Sequence, residues 1–100
     1  MIRLGVNVDH VATLRQVRGG ITAYPNILEL VKDSCRAGAR QITIHLREDR
    51  RHIQLDDLKI LSRNCPVDLN LEMAVTAQLI KFAKKYRPEW CCFEIGRAHV

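Results

Sequence analysis

Residues 41–52, QITIHLREDRRH, restrict the fold more than any other stretch of the chain. Ile42, Ile44 and Leu46 alternate with Thr43 and His45, the two-residue period of a strand with one apolar face. The strand runs straight into a burst of charge: Arg47, Glu48, Asp49, Arg50, Arg51 and His52. A buried strand opening into a dense polar loop is how α/β enzymes present reactive groups at the carboxyl ends of their strands.

The rest of the chain repeats the theme. Residues 2–8 (IRLGVNV) read as a mostly apolar strand with Asn7, Asp9 and His10 at its end. Residues 13–25 hold Arg15, Arg18, Gly19 and Gly20 and read as a positively charged loop. Tyr24-Pro25 closes it, because a residue before proline is pushed away from helix. Asn26 is a fair N-cap for an amphipathic helix carrying Ile27, Leu28, Leu30, Val31 and Cys35, which stops near Gly38.

Leu55, Leu58 and Leu61 form a second helical stripe, with Asp56 and Asp57 well placed in its first turn. Asn64 to Pro66 ends it, and residues 67–71 (VDLNL) make a third strand that finishes at Glu72. Thr76 caps a third helix, with Leu79, Ile80 and Ala83 facing inward, and Pro88 stops it. Residues 90–93 (WCCF) are a fourth strand, in which Cys91 and Cys92 read as small core residues.

The predicted order is β-α-β-α-β-α-β, with strand starts roughly 25 to 40 residues apart. That spacing suits crossover units of a parallel sheet, and such crossovers are right-handed. All four carboxyl ends then share one rim. Asn7 and Asp9, His45 and Arg47, and Glu72 reach it from three different strands.

Charge narrows the ligand. The formal net charge is +5, and eleven of the sixteen basic residues are Arg, which suits bidentate capture of phosphate or carboxylate. No lysine-rich tail or aromatic-interleaved basic stretch supports nucleic-acid binding. Cys35, Cys65, Cys91 and Cys92 form no CxxC pair and no zinc spacing, so a reduced, cytoplasmic setting is expected. Nothing reads as a signal peptide or a membrane span.

Residues 94–100 (EIGRAHV) break the pattern. They match the translation of a widely used sequencing adapter in one frame. The expectation is native sequence over residues 1–93, as the N-terminal half of a barrel domain, followed by a non-native tail at 94–100 in which Arg97 and His99 carry no function.

Three blocks carry a resemblance: LGVNVDHVATLR at residues 4–15, ITIHLREDRRHI at 42–53 and NLEMAVT at 70–76. Together they resemble the pyridoxine 5'-phosphate synthase family. The resemblance implies a TIM (β/α)8 barrel, here only about its first four β/α units, assembled as a homo-octamer. It implies condensation of 1-deoxy-D-xylulose 5-phosphate with 3-amino-2-oxopropyl phosphate to pyridoxine 5'-phosphate, phosphate and water, with no metal or redox cofactor. His45 and Glu72 match two of the family's acid/base residues. Asn7 and Arg18 match contacts to the aminoketone phosphate, and Asp9, His10, Arg47 and His52 contacts to the deoxyxylulose phosphate. A third acid/base histidine belongs to the part of the family's barrel beyond these blocks. The loop at Gly19-Gly20-Ile21-Thr22 is longer than the family's, and Gln54 stands where a hydroxyl N-cap is commoner.

The residue types fit that chemistry. Imine formation, dehydration and loss of phosphate each move protons, and a histidine works in both directions near neutrality. A partly desolvated Glu72 would hold its proton more tightly and serve a second position. Arg18 and Arg47 suit phosphate esters. From pattern alone each residue also has a structural reading: His45 as a strand histidine, Glu72 as a cap or surface charge, Asp9-His10 as a loop pair. Arg50 and Arg51 read as ion-pair partners of Glu48 and Asp49. Two other functions stay open. One is a metal-dependent barrel hydrolase or aldolase using Asp9, His10, His45 and Glu72. The other is an inactive half-barrel, poorly soluble because its sheet edges and apolar face are open.

Overall fold

A computed structural model of the chain describes residues 2–18, 26–47 and 52–95. Four strands and four helices follow in the order β1 (Leu4–Asn7), α1 (Asp9–Val17), α2 (Ile27–Arg36), β2 (Ala39–His45), α3 (Leu55–Asn64), β3 (Asp68–Ala74), α4 (Ala77–Tyr86) and β4 (Trp90–Glu94). The strands form one parallel sheet in sequential order, β1-β2-β3-β4. This is an α/β architecture of the kind that begins a TIM barrel.

Alternation along the strands separates two faces. Ile42, Ile44 and Leu46, with Leu69, Leu71 and Met73 of β3, are buried. Leu58 and Leu61 of α3, Val31 of α2 and Leu79 of α4 complete the same core. The other parity, Thr43 and His45 beside Asn70 and Glu72, lies on the face away from the helices and is half-buried. Parallel register sets His45 directly opposite Glu72.

The helix ends follow local rules. Asn26 accepts the Glu29 N–H at 3.2 Å, and Thr76 accepts the Leu79 N–H at 3.2 Å, so both predicted N-caps form. Gly38 follows α2 at φ +116°, a conformation in which a side chain would be strained. At Gln54 the cap works in reverse. The Asp57 carboxylate accepts the Gln54 N–H at 2.7 Å, the half of a capping box that needs no hydroxyl.

Three expectations change. Residues 13–17 are not loop but the later turns of α1. The stretch from Asp9 to Val17 holds no Gly or Pro, and Val8 and Ala12 supply it with a small buried stripe. The third strand does not finish at Glu72 but runs on to Ala74. Cys91 and Cys92 are exposed rather than in the core, because β4 is an edge strand with no later helix among the described residues to cover it. Trp90 and Phe93 are exposed with them. The expected loop closure at Tyr24-Pro25, the ion pairs of residues 48–51 and most of the 94–100 tail lie outside the described residues. No described helix is long and apolar enough to cross a membrane.

Candidate active site

The carboxyl ends of β1, β2 and β3 bring four of the expected residues into one connected group. Asn7 closes β1, and its side chain and Asp9 pair reciprocally. Asn7 Nδ2 donates to Asp9 Oδ2 at 3.1 Å, and the Asp9 N–H donates to Asn7 Oδ1 at 2.8 Å. The other Asp9 oxygen, Oδ1, accepts the backbone N–H of His45 at 2.8 Å. One carboxylate therefore ties the end of β1 to the end of β2. Its partners are Asn7 and His45, so the alternative of an Asp9-His10 pair does not hold. His10 is exposed.

His45 is the last residue of β2 and Glu72 its neighbour on β3. Glu94 of β4 completes a cluster. His45 Nε2 lies 3.3 Å from Glu94 Oε2. One ligand atom from each of His45, Glu72 and Glu94 falls within 4.8 Å of the others, a set able to hold a metal ion. Burial pushes the Glu72 carboxyl above its ordinary range, and the hydrogen bond its protonated form donates to the neighbouring Glu94 adds to the shift. Two carboxyls this close favour one shared proton over two charges. Glu72 is thus neither a helix cap, a role Thr76 fills, nor a surface charge.

The remaining expected residues lie on neighbouring segments. Arg47 leaves the end of β2 half-buried. Arg18 is exposed at the C-cap of α1. His52 is half-buried, its Nδ1 lying 2.7 Å from the hydroxyl of Thr13 in α1.

The sequence reading missed one group. Arg15 Nη1 and Nη2 donate to the two Asp57 oxygens at 2.6 and 2.7 Å, joining α1 to the start of α3. Arg15 Nη2 also reaches the His52 carbonyl at 3.4 Å. Asp57 is only 4% exposed. A usable signal existed: an acidic residue at the third position of a helix beside an unbroken helical stretch at residues 9–17. Read as a loop, that stretch gave Arg15 no fixed geometry.

Comparison with known proteins bears on what this rim does. The family model for "Pyridoxal phosphate biosynthesis protein PdxJ" matches residues 4–94. The pyridoxine 5'-phosphate synthase of Bdellovibrio bacteriovorus is 75% identical over 92 residues, covering 92% of this chain and 38% of that protein. The enzyme of the same name from Coxiella burnetii is 54% identical over 92 residues, again 92% of this chain and 38% of its own length. The one from Magnetococcus marinus is 46% identical over 99 residues, 99% of this chain and 40% of that protein. The chain thus spans about two fifths of the length of these relatives. With a match running through all four strands, the chain belongs to the PdxJ family.

Proposed function

We propose that this chain forms the first four β/α units of a pyridoxine 5'-phosphate synthase. The whole enzyme condenses 1-deoxy-D-xylulose 5-phosphate with 3-amino-2-oxopropyl phosphate and releases pyridoxine 5'-phosphate, phosphate and water. The observation that carries this reading is His45 beside Glu72 at the carboxyl rim, with Glu72 inclined to hold a proton. His45 takes and returns protons at imine and hydroxyl groups of the substrates, and its backbone is fixed by Asp9. Glu72 serves a second proton position, its affinity for that proton raised by desolvation. Asn7, Asp9, His10 and His52, with Arg18 and Arg47 as phosphate partners, make up the substrate contacts. Holding two small substrates together supplies several kcal/mol of the barrier reduction, about 7 or more in well-aligned cases.

Residues 94–100 belong, on this reading, to a non-native tail, and the Glu94 contact with His45 is then no part of the enzyme. Burial, the largest cause of the Glu72 shift, does not come from that contact, while the next two causes do come from Glu94. The working enzyme is a cytoplasmic homo-octamer whose remaining barrel supplies a further acid/base histidine. The 100-residue chain by itself is inactive and poorly soluble.

A metal-dependent hydrolase or aldolase has one observation in its favour, the grouping of His45, Glu72 and Glu94. Against it, the Asp9 carboxylate is already engaged by Asn7 and His45. The test is product formation by the chain extended to the length of its relatives, with a His45→Asn control and metal analysis alongside. The proposal requires product that the control abolishes. A folded extended chain that makes none, or that makes it equally well with Asn at position 45, refutes it.

A further inference from the structure

Thr13 makes two contacts through one oxygen. Its Oγ1 lies 3.2 Å from the Asp9 carbonyl oxygen and 2.7 Å from His52 Nδ1. A hydroxyl has one hydrogen, and a carbonyl can only accept. Both contacts are hydrogen bonds under a single assignment: the hydroxyl donates to Asp9 and accepts from a protonated Nδ1 of His52. The opposite neutral tautomer would aim the Nδ1 lone pair at the hydroxyl oxygen, unless the hydroxyl gave up its bond to Asp9.

The backbone around His52 is held as well. Its carbonyl accepts from Gln54 Nε2 at 3.2 Å and from Arg15 Nη2 at 3.4 Å. Asp57 anchors this arrangement, binding Arg15 through both oxygens and the Gln54 N–H through Oδ2. Asp9 is the common reference point. Its carboxylate fixes the His45 backbone, and its carbonyl, through Thr13, orients the His52 ring.

We propose that Thr13, supported by the Arg15–Asp57 pair, is a positioning residue that locks His52 as the Nδ1–H tautomer. When neutral, the ring then offers a bare Nε2 as acceptor to a substrate hydroxyl. When protonated, it offers Nε2–H to a phosphate oxygen without reorienting. What His52 meets rests on the synthase reading above. The tautomer itself does not.

The experiment uses the enzyme extended to the length of its relatives, labelled with 15N-histidine, with His52→Gln to assign the signal. Long-range proton–nitrogen correlation spectra, recorded where the ring is neutral, report which nitrogen carries the proton. The proposal requires protonated Nδ1 and unprotonated Nε2 in the parent enzyme and loss of that pattern in Thr13→Val. It also requires the KM for the ketose phosphate to rise about tenfold in Thr13→Val, the worth of one hydrogen bond, with kcat changed less than about twofold. Thr13→Ser must restore both spectrum and KM. A parent enzyme with Nε2–H, or a valine variant that keeps both the Nδ1–H pattern and the parent KM, overturns the proposal. An extended chain without synthase activity refutes the synthase reading, while the spectrum still decides the tautomer.

Discussion

Replacing Asp57 by Ala tests how far α1 and α3 depend on each other. The Asp57 carboxylate accepts two hydrogen bonds from Arg15 and one from the Gln54 backbone. Its removal strands a guanidinium whose side chain is 20% exposed. Breaking a buried ion pair by deleting one partner costs about 3–5 kcal/mol. Partial exposure of Arg15 lets water take up some of the loss and argues for the lower end, about 3 kcal/mol. Loss of the carboxylate that closes the start of α3 adds about 1 kcal/mol. The expected total of about 4 kcal/mol is a large share of the roughly 5–15 kcal/mol that stabilises a domain. Arg15→Met should cost a comparable amount, because it strands a nearly buried carboxylate. The double variant should be milder than the sum by about 2 kcal/mol, since neither charge is then left without its partner. Urea unfolding of the extended chain, followed by circular dichroism for all four proteins, gives the cycle. Single variants within about 0.5 kcal/mol of the parent, or costs that simply add, would refute the claim that this pair holds the two helices together.

Three further outcomes follow from single groups. Glu72 binds its proton more tightly folded than unfolded, so its contribution to stability is full below the unfolded carboxyl range and is lost as pH rises through the folded pKa. Glu72→Gln should therefore gain melting temperature relative to the parent as pH rises from about 4 to neutrality, and a difference that is flat or falls with pH would contradict the assigned burial. Ile44 is fully buried, so Ile44→Ala should cost about 3 kcal/mol in denaturant unfolding, against less than about 1 for Ile60→Ala on the exposed side of α3. Thr76→Ala should lose about 1 kcal/mol by the same measurement and Thr76→Ser only a few tenths, because the hydroxyl that accepts the Leu79 N–H is retained.

What could be read from the sequence was whatever depends on near neighbours. The alternation at residues 41–46 assigned both faces of β2, because a period of two leaves a strand with one buried side no other register. Asn26 and Thr76 were legible as caps because a cap acts three residues away. Asn7, Asp9, His45 and Glu72 were legible as a group because parallel crossovers put all strand ends on one rim. The first helix was not. Ala12 is its one fully buried residue, and the bonds that dock it, Arg15 to Asp57 and Thr13 to His52, join positions about forty residues apart. Helix period and charge sign mark the segments at each end, but not which positions pair across that distance. The extension of β3 past Glu72 was hidden for a related reason, since Met73 and Ala74 gain their strand geometry from pairing with Phe93 and Glu94.

The face of the sheet turned away from the helices explains why reactive groups gather at one level. Near the amino ends of the strands its polar side chains satisfy each other. Trp90 Nε1 donates to Asp68 Oδ2 at 3.1 Å, and Asn70 Nδ2 donates to Thr43 Oγ1 at 3.3 Å. One step further along, parallel register brings His45 and Glu72 side by side, and the Asn7–Asp9 pair stands at the end of β1. Here Asp9 holds the N–H of His45, while the ring of His45 faces Glu94. A polar group shut away from water is costly unless it has a partner. A barrel closed over this face could not pack it as a dry core. The lower rows carry the Trp90–Asp68 and Asn70–Thr43 bonds, and in the rim row Glu94 stands beside His45 and Glu72. The helix-facing parity of the same strands, Ile42, Ile44, Leu69, Leu71 and Met73, supplies the dry core instead. On the synthase reading, stability and chemistry are then divided between alternate residues of β2 and β3. Substitutions at Ile44 and Leu71 should act chiefly on unfolding, and those at His45 and Glu72 chiefly on turnover, with the pH-dependent stability change at Glu72 beside it, although each pair lies one residue from the other.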